Sequence, residues 1–192
     1  MASKTIPKNI LDVINDFFQH LGKKSKDIVH IANLQCGFEK WLQLEFIFWA
    51  INKFNLIPMN VGNNHKNNYR HGIGIEHYTE LESPNRKWKM IDIWVNPIKN
   101  KFYYIEFKSI VKDWNEGKQI SSWVDDFNNL QLIHEDYEPF GVASVLFGTT
   151  QNDWKEPKWE EYIKERMLIS FPTKPFFETN GQLGVAILHK QY

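Results

Sequence analysis

The sequence predicts an α/β domain in which helices pack on a mixed β-sheet. Three observations predict it. Two N-terminal segments carry apolar residues at helical spacing. Short apolar runs of strand length, bounded by turn residues, follow them. Polar, helix-like segments then alternate with further strands, giving the order helix, helix, strands, helix, strand, helix, strand. At 192 residues and 42% hydrophobic the chain has the size and core content of one domain. A single domain over residues 1–192 is therefore expected.

The elements follow in order. Residues 7–21 place Ile10, Val13, Ile14, Phe17, Phe18 and Leu21 at helical spacing. Pro7 suits a first turn and Gly22 a C-terminal stop. A basic loop, Lys23-Lys24-Ser25-Lys26, comes next. Residues 37–54 are apolar on nearly every side, which predicts a helix covered by protein all round. Phe38, Trp41, Leu42, Glu45 and Trp49 share one face of it, so Glu45 is an acid on a buried stripe. Residues 61–74 are rich in Asn, His and Gly and read as a loop. Strand-like runs cover 73–78, 90–95 and 102–110. A polar helix is expected over 115–134, a buried strand over 141–147, a short helix over 156–166 and a last strand over 184–189.

Three polar residues interrupt the apolar strands. Asp92 lies in Met90-Ile91-Asp92-Ile93-Trp94-Val95, and Glu106 and Lys108 lie in Ile105-Glu106-Phe107-Lys108. Side chains two apart on a strand share a face, so Glu106 and Lys108 project together. If Asn96 pairs with Phe102 across the turn at 96–101, Asp92 falls opposite Glu106. Ile91, Ile93 and Val95 then meet Phe107, Ile105 and Tyr103. A slip of one residue would scramble both faces. Two opposed carboxylates in a dry site call for positive charge between them. A hard divalent ion with oxygen ligands supplies it, and Mg²⁺ needs only one or two protein carboxylates. Lys108 can orient an attacking water and offset phosphate charge. Glu45 offers a third carboxylate, and the Phe107 carbonyl, placed between the two acids, a further ligand.

This D…ExK arrangement, Asp92 with Glu106-Phe107-Lys108, resembles the core of the PD-(D/E)XK nuclease superfamily. Gln43-Leu44-Glu45-Phe46 in the preceding helix resembles the family's helical acid. The helix bearing Asp126 and Leu130 and the apolar strand of residues 141–148 also fit the pattern. The likeness covers roughly residues 37–149. One departure is Ile91, where the motif's name carries proline. The resemblance implies a restriction-endonuclease-like mixed β-sheet flanked by helices and a divalent-metal phosphodiesterase. It implies Asp92 and Glu106 as metal ligands, Lys108 beside the attacking water and Glu45 as auxiliary acid. The metal would be Mg²⁺, with Mn²⁺ as substitute. Glu39 replaces Glu45 if the helix rolls, and Glu76 and Glu80 lie within possible reach. A second ExK triplet, Glu156-Pro157-Lys158, lacks strand context.

Lys+Arg and Asp+Glu both number 23, which excludes a polybasic arm but not a local basic surface. Residues 60–112 hold nine Lys/Arg against five acids, a local +4, and residues 113–140 hold one Lys against seven acids, a local −6. Phosphate would favour the first stretch. The loop at 63–71, with Asn side chains and Lys66 and Arg70, is a candidate DNA contact. The expected partner is thus DNA, through an endonuclease of restriction, defence or repair type. Cutting both strands would require a homodimer, for which the helix bearing Trp123 and Phe127 could supply a face. The alternatives are a catalytically inactive nuclease-fold module that binds nucleic acid or protein, and a plain interaction domain with Glu106 and Lys108 paired on a solvated face. The N-terminus lacks a secretory pattern, no apolar run reaches membrane-spanning length, and Cys36 is the sole cysteine. A cytoplasmic protein without membrane attachment is expected.

Overall fold

A computed structural model describes residues 5–24, 27–28, 30–31, 38–59, 72–82, 87–110, 116–149, 176–180 and 183–192. The first helix, α1 (Ile10–Gly22), buries every apolar position of its predicted stripe. It starts after Pro7 because Asn9 is the better cap, its side chain accepting the Leu11 N–H at 2.9 Å. Gly22 is its last residue and Lys23 closes it. Helix α2 (Phe38–Phe54) follows. Then come β1 (Ile57–Pro58), β2 (Gly72–Glu80), β3 (Trp88–Ile98) and β4 (Lys101–Ile110). Helix α3 (Glu116–Leu130) and a 3₁₀ turn at Glu135–Tyr137 lead into β5 (Pro139–Thr149). Strands β6 (Phe176–Asn180) and β7 (Leu183–Gln191) complete the described chain.

The strands form one mixed, open seven-stranded sheet in the order β1-β2-β3-β4-β5-β7-β6. The β1–β2 and β4–β5 neighbours are parallel and the others antiparallel. The fold is therefore α/β, as expected. The two strands without a prediction are β1, only two residues long, and β6, an edge strand of sequence Phe-Phe-Glu-Thr-Asn. The expected helix at 156–166, the second ExK triplet, Cys36, Lys66 and Arg70 lie outside the described residues.

Each face of the sheet has its own core. On one side α1 and α2 pack Phe17, Phe18, Leu42, Phe46 and Trp49 onto Ile93, Val95, Tyr103, Ile105, Phe107 and Phe147. On the other, α3 packs Ile120, Trp123, Val124 and Phe127 onto Ile91, Trp94, Tyr104, Val142 and Leu146. Helix α2 is not covered all round. Leu44 and Phe48 are 43% and 62% exposed, because α2 presents one stripe to the sheet and its outer face to water.

The β3–β4 register is the expected one, with Ile93 opposite Ile105 and Val95 opposite Tyr103. It shifts past Val95, where Ile98 pairs with Lys101 instead of continuing through Asn96 and Phe102. Buried Asn96 stitches this turn by donating from Nδ2 to the carbonyls of Ile98 at 2.8 Å and Lys101 at 2.9 Å. Among the described residues no helix is long and apolar enough to cross a membrane.

Trp123 and Phe127 are wholly buried inside the chain, so they cannot form the homodimer face expected of them. Trp123 Nε1 donates to the Ser144 carbonyl at 2.8 Å, and Ser144 Oγ returns a bond to the Trp123 carbonyl at 3.0 Å. Trp123→Ala should therefore destabilise the monomer itself, by about 3–5 kcal/mol. Denaturant unfolding at several protein concentrations checks this. A small loss that grows on dilution would instead indicate an interface.

Candidate active site

Strand alternation predicts that Ile91 and Ile93 face the same way. They do not: Ile93 packs under α1 and α2, whereas Ile91 packs under α3. The reversal falls on Asp92. The partner strand reverses at the same level. Ile73 belongs to the α1/α2 core and Leu81 to the α3 core, and between them Glu76 has φ 53°. The β2–β3 register is unchanged across the break, Ile75 pairing with Ile93 and His77 with Ile91. The assumption that Ile91 meets Phe107 on the Ile93 face is thus corrected. The ribbon turns over, which points Asp92 along the sheet rather than out of it. Its Oδ2 accepts the Phe107 N–H at 2.9 Å. A strand residue's own N–H and C=O point to the same edge, so the Phe107 carbonyl also faces the β3 side.

Glu106 and Lys108 project from β4 on the α3 face. Glu106 is 3% exposed, and its pKa is pushed up from 4.5 to about 9. Burial is the main cause, followed by the adjacent Asp92 charge, with which Glu106 also shares a hydrogen bond. Glu106 is therefore a protonated acid at neutral pH unless more positive charge arrives.

The reversal brings in a residue that alternation would have sent to the far face. Lys89 lies on the α3 face with Ile91. Its Nζ is 3.3 Å from Glu106 Oε1, without hydrogen-bond geometry, and 2.6 Å from Asp126 Oδ1. Asp126, from α3, also meets Lys108 through Oδ2 at 3.1 Å. Glu39, in the first turn of α2, approaches Lys108 at 3.5 Å. Burial works against the Lys89 charge, but Glu106 and Asp126 outweigh it and its pKa is raised. Lys108 behaves alike, Asp126 and then Glu39 outweighing burial. Glu39 is raised, chiefly by burial.

Of the expected site residues, the structure brings together Asp92, Glu106, Lys108 and the Phe107 backbone. It does not bring Glu45. That carboxylate faces α1, 2.9 Å from His20 Nε2 and 2.6 Å from Lys24 Nζ, beside a cleft of about 730 Å³ between α1 and α2. Those hydrogen bonds outweigh burial and lower its pKa. Glu39, the substitute, stands at the site instead. Glu76 is exposed and pairs with Lys40 at 2.5 Å. Glu80 lines a separate cleft with Tyr104, Tyr137 and Glu138. Lys89 and Asp126 are the site residues that sequence reasoning missed. Asp126 carried a signal, an acid on the inner side of an amphipathic helix. Lys89 carried none under strict alternation.

The donor set fits a hard cation that keeps several waters. It offers two adjacent carboxyls, one buried and protonated, and a carbonyl directed to the same edge. Among the described residues no three His, Cys, Asp or Glu side chains group as a ready-made metal site. Any ion here would thus rely on the Asp92–Glu106 pair. Comparison of the chain with family models, with curated proteins and with solved structures finds no match in any of the three.

The raised Glu106 pKa has a fixed sign in stability. The folded state binds this proton more tightly than the unfolded state. Its contribution is complete below pH 4.5 and is lost as pH rises through about 9. In the presence of a chelator, wild type should lose Tm relative to Glu106→Gln between these limits. Thermal melts across that range check it, and parallel Tm profiles would contradict the protonated assignment.

Proposed function

We propose that the chain is a divalent-metal-dependent phosphodiesterase acting on DNA, an endonuclease with a restriction-endonuclease-like sheet. The observation that carries the reading is the Asp92–Glu106 carboxyl pair. It is held beside Lys108 at a point where β3 leaves its regular ladder. Such a pair has no structural need that a Leu or Met would not meet better. Asp92 and Glu106 would hold Mg²⁺ or Mn²⁺, with the Phe107 carbonyl as a third donor. The ion would supply charge neutralisation at phosphoryl oxygens and acidify water. Lys108 would hold the attacking water and offset charge on the phosphoryl group, with Asp126 and Glu39 fixing its ammonium.

A second reading is a nuclease-fold binding module without catalysis. One observation favours it: Lys89 and Lys108 already pair with Glu106, Asp126 and Glu39, so the protein itself offsets part of the acids' charge. Incubation with supercoiled plasmid and Mg²⁺ or Mn²⁺, against an EDTA control, separates the two. Cleavage is expected, and Asp92→Ala, Glu106→Ala and Lys108→Ala should each lower its rate by about 10²–10³ or more. Wild type that leaves DNA and RNA intact with both metals would establish the binding module. Equal cutting by Lys108→Ala would move the site elsewhere.

Lys66 and Arg70 belong to the locally basic stretch and are proposed DNA contacts. Replacing both with Ala should weaken binding and lower the slope of log K against log salt by roughly 1 per lost phosphate contact. Filter binding at several salt concentrations measures the slope, and an unchanged value would exclude the pair.

A further inference from the structure

Lys89 has no part in the reaction just proposed, yet it stands inside the carboxylate group, 16% exposed. Its ammonium touches two acids unequally. The contact to Asp126 is a hydrogen bond of 2.6 Å, whereas that to Glu106 is 3.3 Å without hydrogen-bond geometry. We propose that Lys89 is the resident counter-cation of the Asp92–Glu106 site, and that a divalent ion binds there by displacing its ammonium from Glu106 onto Asp126. The inference rests on the metal reading above and adds a control on that site.

Carboxyls facing one another away from water need positive charge nearby, and Lys89 is the cation closest to Glu106 among the described residues. An entering divalent ion adds net positive charge whether Glu106 arrives as a carboxylate or first releases a proton. The ion and the ammonium therefore repel within a few ångströms, in a place with little water to screen them. Asp126 resolves the conflict. Its Oδ1 already holds Lys89, so only the longer contact must open, a matter of rotation near the end of a flexible side chain. Lys108 does not compete in this way, because its ion pairs are to Asp126 Oδ2 at 3.1 Å and Glu39 at 3.5 Å. Lys89 would thus set a threshold for metal occupancy.

Titration with Mn²⁺ alone, followed by the paramagnetic resonance of the free ion, tests this without reference to cleavage. Lys89→Met should bind Mn²⁺ about tenfold more tightly than wild type, equivalent to ~1.4 kcal/mol. Lys89→Arg, which keeps the charge, should stay near wild type. Asp126→Asn should bind more weakly, since it removes a negative charge and the seat that receives Lys89. Asp92→Asn should lose binding. Equal or weaker binding by Lys89→Met, with Asp92→Asn still defective, would overturn the proposal and leave the metal reading standing. Wild type whose Mn²⁺ uptake is absent or independent of Asp92 would overturn both. Should Lys89→Met fail to fold by circular dichroism, unchanged affinity in Asp126→Asn would overturn the proposal by itself.

Discussion

At Asp92 strand β3 turns its side chains over, and β2 does the same at Glu76 with φ 53°. A non-glycine residue in that region costs on the order of 1–3 kcal/mol, and strands rarely tolerate it. Here it is tolerated because both strands reverse together and keep their register. Exposed Glu76 gains an ion pair with Lys40 of α2. The consequences reach every member of the site. Asp92 turns into the plane of the sheet and meets the Phe107 N–H. Lys89 arrives on the face of Glu106 and Asp126. Trp88 and Met90 turn outward, where they are 60% and 46% exposed.

The polar group that results holds more acid than base. Four carboxyls, from Asp92, Glu106, Asp126 and Glu39, share two ammonium groups, from Lys89 and Lys108. Protonation of the most buried acid, whose pKa rises to about 9, narrows that excess to three carboxylates against two cations. Elsewhere in the chain the same problem is solved more simply. Glu45 has His20 and Lys24, and Asp16 has Lys53 at 2.6 Å. Those pairs lie at the surface and lower or satisfy their acids. Among the described residues Glu106 is the carboxyl pushed up to about 9, and Asp92 lies against it.

Much of this was legible in the sequence. The apolar pattern of 90–95 and 102–110 was enough to set the β3–β4 register, because slipping it would bury Glu106 among the phenylalanines of the other face. The stripe of α1 was readable from its helical spacing, whereas the α3 residues Trp123 and Phe127, expected on an outer face, are buried. The ribbon reversal was not readable, since nothing in Ile75-Glu76-His77 announces a left-handed residue; a glycine there would have. Lys89 was hidden behind that reversal. The choice between Glu39 and Glu45 failed for a different reason. Both lie on one helix, but six residues separate them, about 9 Å along the axis. Helical spacing shows which stripe is buried and says little about which end of the stripe meets the site. Glu45 flanks the stripe on the α1 side, where His20 and Lys24 claim it.

Lys108 shows how the two layers of the fold are joined at this end of the sheet. Asp126 reaches it from α3 on one face, and Glu39 reaches it from α2 on the other, at 3.1 and 3.5 Å. The two acids are not equivalent. Glu39 is 37% exposed, against 14% for Asp126, and lies farther away. Burial also raises the Glu39 pKa. If an anion is to take a place on the ammonium, Glu39 is the partner that yields, because the incoming group restores the negative charge it withdraws. Asp126 stays, since it also holds Lys89 and cannot leave without releasing two cations at once. Helix α3 thus supplies the closer and more buried partner of Lys108 and also holds Lys89, and the start of α2 supplies the more exposed partner of Lys108.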